Sequence, residues 1–221
     1  MDLQLGGRVV LVVGGTGYIG AVVAERLREE GAEVVVASRH PEGGVEIDAR
    51  DTASVEAGVA AVLQQHGRID AVVVTAAPSA RTLDPARATD PVQVADAIDG
   101  KALAFLRVAN AVLPTMQEAG YGRIVAISGQ NAWLTGNLTA AVRNAALNVA
   151  AKSLADAAIG SGVRITVVNP GNVTDDPADA AGGESSPQQI ADLVAFLASP
   201  RSVVSGESIA IGHRTRGVTA L

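Results

Sequence analysis

The stretch VLVVGGTGYIGAVVAERL, residues 10–27, constrains this chain more than any other. The unbroken apolar run RVVLVV at 8–13 reads as a strand buried on both faces. The run breaks into glycines, then resumes over 18–31 with helical spacing and stops at Gly31. Within the turn Gly15, Gly17 and Gly20 satisfy G-x-G-x-x-G, and Gly14 adds a second reading, G-x-x-G-x-x-G. A strand, a glycine turn and a helix in that order bring bare backbone N–H groups and the positive end of a helix dipole to one point. A side chain there would block the approach of a pyrophosphate. The pattern therefore predicts a dinucleotide cradle made of Gly14, Gly15, Thr16, Gly17, Tyr18 and Ile19.

The rest of the chain repeats the alternation. Val/Ile-rich runs predict strands at 33–38, 44–48, 69–76, 122–128, 163–170 and 208–212. Helical patterns cover 52–67, 92–119 with an interruption at Gly100, 138–159 and 187–198. This order predicts the α/β class: a doubly wound, mostly parallel sheet with right-handed crossovers and helices on both faces, in a single domain over 1–221. Apolar residues make up 48% and aromatics 2%, so the core must be built from Val, Ile, Leu and Ala. The polar insert at 174–189 reads as a loop or lid.

Charge and composition narrow the function classes. A net charge of −6 without a basic run disfavours nucleic acid and anionic membranes as partners. No apolar run approaches membrane-spanning length, and the start MDLQLGGR lacks the basic region of a signal peptide, so a soluble cytoplasmic protein is expected. The absence of Cys rules out thiol catalysis, and the histidines at 40, 66 and 213 lack metal-ligand spacing. The second strand ends VASRH, with Ser38 and Arg39 where an NAD site usually carries an acid, about 20 residues after the glycines. An acid would repel a 2′-phosphate, whereas a guanidinium binds it through paired, charge-assisted hydrogen bonds. Ser38 and Arg39 therefore predict NADP(H).

The chain resembles the short-chain dehydrogenase/reductase family along nearly its whole length. The matching pieces, in order, are GGTGYIG (14–20), IDAR (47–50), VVVTAAP (72–78), NAVLPTM (110–116), GRIVAIS (122–128), AALNVAAKSLA (145–155), VVNPGNV (167–173) and VAFLAS with SGESIAI (194–211). The resemblance implies a single-domain Rossmann fold, NAD(P) across the switch point of the sheet, and a dimer or tetramer acting on a small molecule. It also implies that Asp48 and Ala49 border the adenine, that Thr75 and Ala76 follow the fourth strand beside the cofactor, and that Pro170, Gly171 and Val173 belong to the loop beside the nicotinamide.

The resemblance breaks at the catalytic residues. The family's usual site is a Ser after the fifth strand, a Tyr and a Lys four residues apart on the next helix, and an Asn on the helix before. Aligning AAL (145–147) puts Ala140 at the Tyr and Asn144 at the Lys; counting from the IS pair puts Val142 and Ala146 there. Neither register supplies the pair. Ser128 survives, or Gly129 in a shifted register, and Lys101 falls at the Asn. The remaining catalytic candidates are Ser128, Lys101 and Asn144. Lys101 could donate a proton or bind an oxyanion, and Arg143 could contact an anionic substrate, although helix Lys and Arg side chains ordinarily run to solvent. Gln130, Asn131, Asn137 and Trp133 read as either site or turn residues, and His213, Arg214 and Arg216 as interfacial. Tyr121 precedes the fifth strand and is expected far from the chemistry. Three functions stay open: an NADP(H)-dependent oxidoreductase acting on a carbonyl or enone, a dinucleotide-binding protein without hydride transfer (a non-redox catalyst or a cofactor-sensing scaffold), and a structural partner subunit.

Overall fold

Alternation along one strand sorts the two layers. In β1 (Val9–Val13) the side chains of Val9, Leu11 and Val13 enter one apolar cluster, and those of Val10 and Val12 enter another on the opposite face. The computed structural model describes residues 1–79, 82–178 and 183–212. After β1 come α1 (Tyr18–Glu29), β2 (Glu33–Ser38), β3 (Val45–Glu46), α2 (Thr52–His66), β4 (Ala71–Val74), α3 (Pro91–Ile98), α4 (Ala104–Glu118) and β5 (Gly122–Ile127). The chain continues through α5 (Leu138–Ala157), β6 (Val163–Pro170), β7 (Asn172–Val173), β8 (Glu184–Ser185), α6 (Pro187–Ala198) and β9 (Ser208–Ile211).

The main sheet has seven strands in the order β3-β2-β1-β4-β5-β6-β9. Every pairing in it is parallel. The order reverses between β1 and β4, a switch point at which α/β sheets open a crevice beyond their carboxyl ends. Helices α1 and α6 cover one face; α2, α4 and α5 cover the other. Small β-branched residues suffice because parallel strands are buried on both faces. Phe105 is the largest of the fully buried side chains.

Two expectations are refined. The helix expected over 92–119 is not broken at Gly100. It passes through a π-helical turn, Asp99–Leu103, between α3 and α4. A Cβ on Gly100 would lie 3.0 Å from the Pro78 ring carbons, so this glycine admits the segment after β4. The extra residue of a π turn shifts the helical register, and Lys101 and Ala102 point inward. The strand expected at 44–48 is shorter because the chain turns at Asp48, whose N–H donates to the Ser54 hydroxyl (2.9 Å) at the start of α2.

The amino ends of the strands are fastened by charge. Buried Asp70 accepts from Arg8 Nη1 (2.9 Å), from the Val9 N–H (2.9 Å) and from Arg68. The Arg8 and Arg123 guanidinium groups lie over the Tyr121 ring at 4.6 and 4.5 Å. Arg123 also donates to the carbonyls of Gly122 (2.9 Å), Ser199 (3.2 Å) and Gly162 (3.2 Å). Tyr121 thus sits at the end opposite the crevice. No helix among the described residues is long and apolar enough to cross a membrane.

Phe105→Ala should destabilise the chain by about 3–5 kcal/mol, because small neighbours cannot collapse into the space left behind. Urea unfolding should show a lower midpoint with an unchanged slope; a loss under about 1 kcal/mol would mean the layer between α4 and the sheet is loosely packed.

Candidate active site

The glycine turn is built by contact distances. Gly14 has φ 87°, and a Cβ on it would lie 2.6 Å from the Ala76 nitrogen and 2.7 Å from the Thr75 hydroxyl. A Cβ on Gly20 would lie 2.2 Å from the Gly14 carbonyl oxygen, and one on Gly15 would lie 2.9 Å from the Val12 carbonyl oxygen. These three glycines let the β1–α1 turn press against its own strand and the end of β4. Gly17 caps α1 without a side-chain hydrogen bond, and its N–H donates to the Gly14 carbonyl (3.0 Å). The following N–H groups, of Tyr18 and Ile19, belong to the helix turn that has no intrahelical acceptors. Ile19 packs into the α1–α6 layer, and the Tyr18 phenol donates to Asp175 (2.5 Å) across the mouth of the turn.

A cleft of about 570 Å³ opens above this turn. Gly14, Thr16 and Gly17 form its floor. Ser38, Arg39 and His40 border it at the end of β2, Asp48, Ala49 and Arg50 at the start of α2, and Thr75, Ala76 and Pro78 after β4. The Ser38 hydroxyl is buried without a hydrogen-bond partner among the described residues. Arg50 is held by Asp96 and by Asp99 (2.9 Å), and Arg107 also takes Asp99 (2.7 Å). Hydrogen bonds from Arg107 and then Arg50 keep the Asp99 carboxyl below its ordinary range. Arg39 is exposed and makes no ion pair among the described residues.

The inner face of α5 carries Thr139, Ala140, Arg143, Asn144 and Leu147. Ala140 is buried and offers a methyl group to this face. Ser128 is buried just beyond β5, and its hydroxyl donates to the Asn144 carbonyl (3.2 Å). The Gly129 N–H donates to Asn169 Oδ1 (3.3 Å), which also accepts from Asn148 Nδ2 (3.2 Å). Asn144 Oδ1, Asn148 Oδ1 and Asn169 Nδ2 are buried without partners among the described residues. Buried amides left this way are costly unless a ligand or water completes them.

Lys101 and Arg143 do not run to solvent. They are 6% and 3% exposed. The π turn swings Lys101 beneath β5, where Nζ donates to the Ser128 carbonyl (3.1 Å). Burial, reinforced by the positive charge of Arg143, pushes its ammonium down to about 7. Arg143 Nη1 donates to the Pro78 carbonyl (3.0 Å), while its Nε is buried with no partner among the described residues.

The other candidates fall into place around this centre. Gln130 donates to the Ile211 carbonyl (3.1 Å), and Asn137 caps α5 by accepting from the Ala140 N–H (3.0 Å). Asn131 and Trp133 lie in the single helical turn at 130–133. Pro170 ends β6, and a Cβ on Gly171 would lie 1.7 Å from the Gly183 carbonyl oxygen, so this glycine admits a crossing backbone. Val173 lies in the small β7–β8 ladder. His213, Arg214 and Arg216 lie outside the described residues. Asn148 and Asn169 were not picked out in the sequence as site residues. Their signal is an amide one helical turn after Asn144 and an amide immediately before the Pro-Gly of β6. Among the described residues no cluster of three metal-ligating side chains occurs.

Known proteins share this sequence pattern and fold. A family model described as enoyl-(acyl carrier protein) reductase matches residues 16–213. The chain is 31% identical to the 3-oxoacyl-[acyl-carrier-protein] reductase MabA of Mycobacterium tuberculosis, over 92% of this chain and 91% of that protein. It is 30% identical to the (2S)-[(R)-hydroxy(phenyl)methyl]succinyl-CoA dehydrogenase subunit BbsC of Thauera aromatica, over 95% of this chain and 94% of that protein. The fold matches the aldohexose dehydrogenase of Thermoplasma acidophilum with a TM-score of 0.80 at 24% identity, over 94% and 93% of the two chains. Sequence and sheet agree from the glycine turn to the last strand, and the protein belongs to the short-chain dehydrogenase/reductase family of oxidoreductases.

Proposed function

We propose that the protein is an NADP(H)-dependent oxidoreductase that interconverts a carbonyl or enone and its reduced form with a degenerate Ser-Tyr-Lys site. The supporting observation is the cleft itself. Residues from the β1–α1 turn, the end of β2, the start of α2 and the end of β4 meet there, with the Ser38 hydroxyl unpartnered and Arg39 unpaired among the described residues. NADP(H), when bound, supplies or accepts the hydride. The turn at 14–19 holds its diphosphate through backbone N–H groups, and Ser38 and Arg39 hold the 2′-phosphate. Asp48 and Ala49 border the adenine, Thr75 and Ala76 the ribose side, and Pro170, Gly171 and Val173 the nicotinamide. Asn144 Oδ1 accepts from a ribose hydroxyl.

Lys101 takes over the proton. An ammonium near pKa 7 gives up a proton readily at neutral pH, and it stands beside Ser128 at the end of β5. A positioned acid contributes about 10²–10⁴ in rate. MabA is named for reduction of a 3-oxoacyl group and BbsC for dehydrogenation of a hydroxy-substituted succinyl-CoA, and the reading adopts from them the interconversion of an oxo and a hydroxyl group. The exposed Leu103, Val142 and Val149 next to and on α4 and α5 suit self-association into a dimer or tetramer. The charge of −6 disfavours nucleic acid and anionic membranes as partners and accords with a cytoplasmic protein.

A second reading, cofactor binding without hydride transfer, is favoured by one observation. The Ser128 hydroxyl is turned onto the Asn144 carbonyl, and Ala140 offers no acid. Absorbance loss at the NADPH band over a panel of ketones, quinones and enones separates the two; binding without turnover across the panel selects the second.

Arg39→Ala should weaken NADPH by roughly tenfold to a hundredfold, the worth of a charge-assisted contact, and leave NADH nearly unchanged. Equal losses for both would remove the 2′-phosphate role.

Lys101 also predicts a pH dependence. Below about 7 its ammonium is charged in both folded and unfolded chains, and its burial counts fully against the fold. Between that value and the ordinary 10.5 the unfolded chain holds the proton and the folded chain does not, so stability rises with pH. Arg143 is the charged group facing it, and Asp99 is occupied by Arg50 and Arg107. The Tm of the wild type relative to Lys101→Met should climb from pH 6.5 to pH 9.5. Parallel curves would show that Lys101 does not titrate there.

A further inference from the structure

Arg143 and Lys101 form a buried positive site without a negative partner. They come from different elements, α5 and the π turn, and each is more than nine-tenths buried. Among the described residues no carboxylate bonds to either; their acceptors are the backbone carbonyls of Pro78 and Ser128. An arginine carries five N–H donors, and here the one on Nε is buried with nothing to receive it. Lys101 can shed its charge, but a guanidinium stays a cation at any working pH. A buried cation with a single neutral acceptor is a standing cost to the fold, and such charges are ordinarily paired. Asp99, the nearest acid in sequence to Lys101, is already taken by Arg50 and Arg107.

The pair also stands beside the proposed cofactor site. Pro78, which holds Arg143 through its carbonyl, and Gly100, which precedes Lys101, both line the cleft. We propose that Arg143 is the anchor for a carboxylate on the substrate, so that the preferred substrates are oxo acids whose carbonyl lies one or two carbons from the carboxylate. The proposal rests on the oxidoreductase reading for the role of Lys101, which serves the carbonyl oxygen while Arg143 holds the acid beside it. The anionic groups of the cofactor have their own partners in that reading, at the glycine turn and at Ser38 and Arg39. The unmatched charge of Arg143 is therefore left for the second ligand. A carboxylate fits a guanidinium through paired hydrogen bonds, whereas an ester or a ketone of the same shape leaves the cation unpaired.

The test is calorimetric binding of 2-oxohexanoate, 3-oxohexanoate and their methyl esters to the full chain, with and without saturating NADP⁺, so that affinity is read without reduction. At least one acid should bind roughly tenfold to a hundredfold more tightly than its ester, the range of a charge-assisted hydrogen bond. Arg143→Gln, which keeps a donor for Pro78 but drops the charge, should erase that preference and leave NADP⁺ affinity unchanged. Arg143→Lys should restore part of it. The acid should raise the Tm of the wild type and not of Arg143→Gln, whose folding is checked by circular dichroism. Esters binding as well as the acids would overturn the proposal. So would a preference that survives in Arg143→Gln, a loss of NADP⁺ affinity equal to the loss of acid affinity, or no binding of either acid. Acid binding without NADPH oxidation would remove the oxidoreductase reading and keep the anchor; oxidation with esters alone would do the reverse.

Discussion

The close approach of the first turn to the fourth strand is the contact on which the rest depends. Gly14 sits where a Cβ would meet Ala76 and Thr75, and Gly20 where a Cβ would meet the Gly14 carbonyl. With hydrogen in those places, α1 starts directly above the carboxyl end of β1 and leans on β4. That contact puts the amino end of α1 at the switch point, where the sheet order reverses and the crevice opens. The cleft floor, the direction of the helix dipole and the position of Thr75 follow from it. A single methyl at Gly20 would push the helix off its strand before any ligand was involved.

Beyond that floor the interior becomes polar in an unusual way. The α5 face that looks inward carries the amide of Asn144, the guanidinium of Arg143 and the methyl of Ala140. The ammonium of Lys101 enters from the neighbouring π turn. Among the described residues Asn144 Oδ1, Asn148 Oδ1, Asn169 Nδ2 and Arg143 Nε are left unmatched in a region of low dielectric, where an unmatched group is most expensive and a matched one most effective. The site therefore holds much of its polar machinery in position before a ligand arrives, at the expense of the stability of the empty chain.

Much of this was legible in the sequence because it rests on period and punctuation. The alternation of apolar runs with helical patterns, and the glycines between 14 and 20, are local signals that survive without tertiary knowledge. Lys101 and Arg143 stood among the candidates, but their burial was illegible for the opposite reason. A basic residue on a helix reads as solvated, and the π turn that rotates Lys101 inward follows from a packing demand between Gly100 and Pro78 that the local sequence does not announce. Asn169 and Asn148 escaped notice because their meaning lies in each other, across 21 residues of chain. The strand at 44–48 was overextended because Ile47 and Asp48 keep strand-like composition after the chain has begun its turn into α2.

The Tyr121 ring between Arg8 and Arg123, with Asp70 beneath it, gives the molecule two unlike poles. At one pole β1, β4 and β5 are riveted side by side through an aromatic plate and a carboxylate. At the other, the same strands end in turns and loops that carry all the candidate chemistry. A mutation at the second pole can reshape what the protein acts on while the first keeps the strands in register.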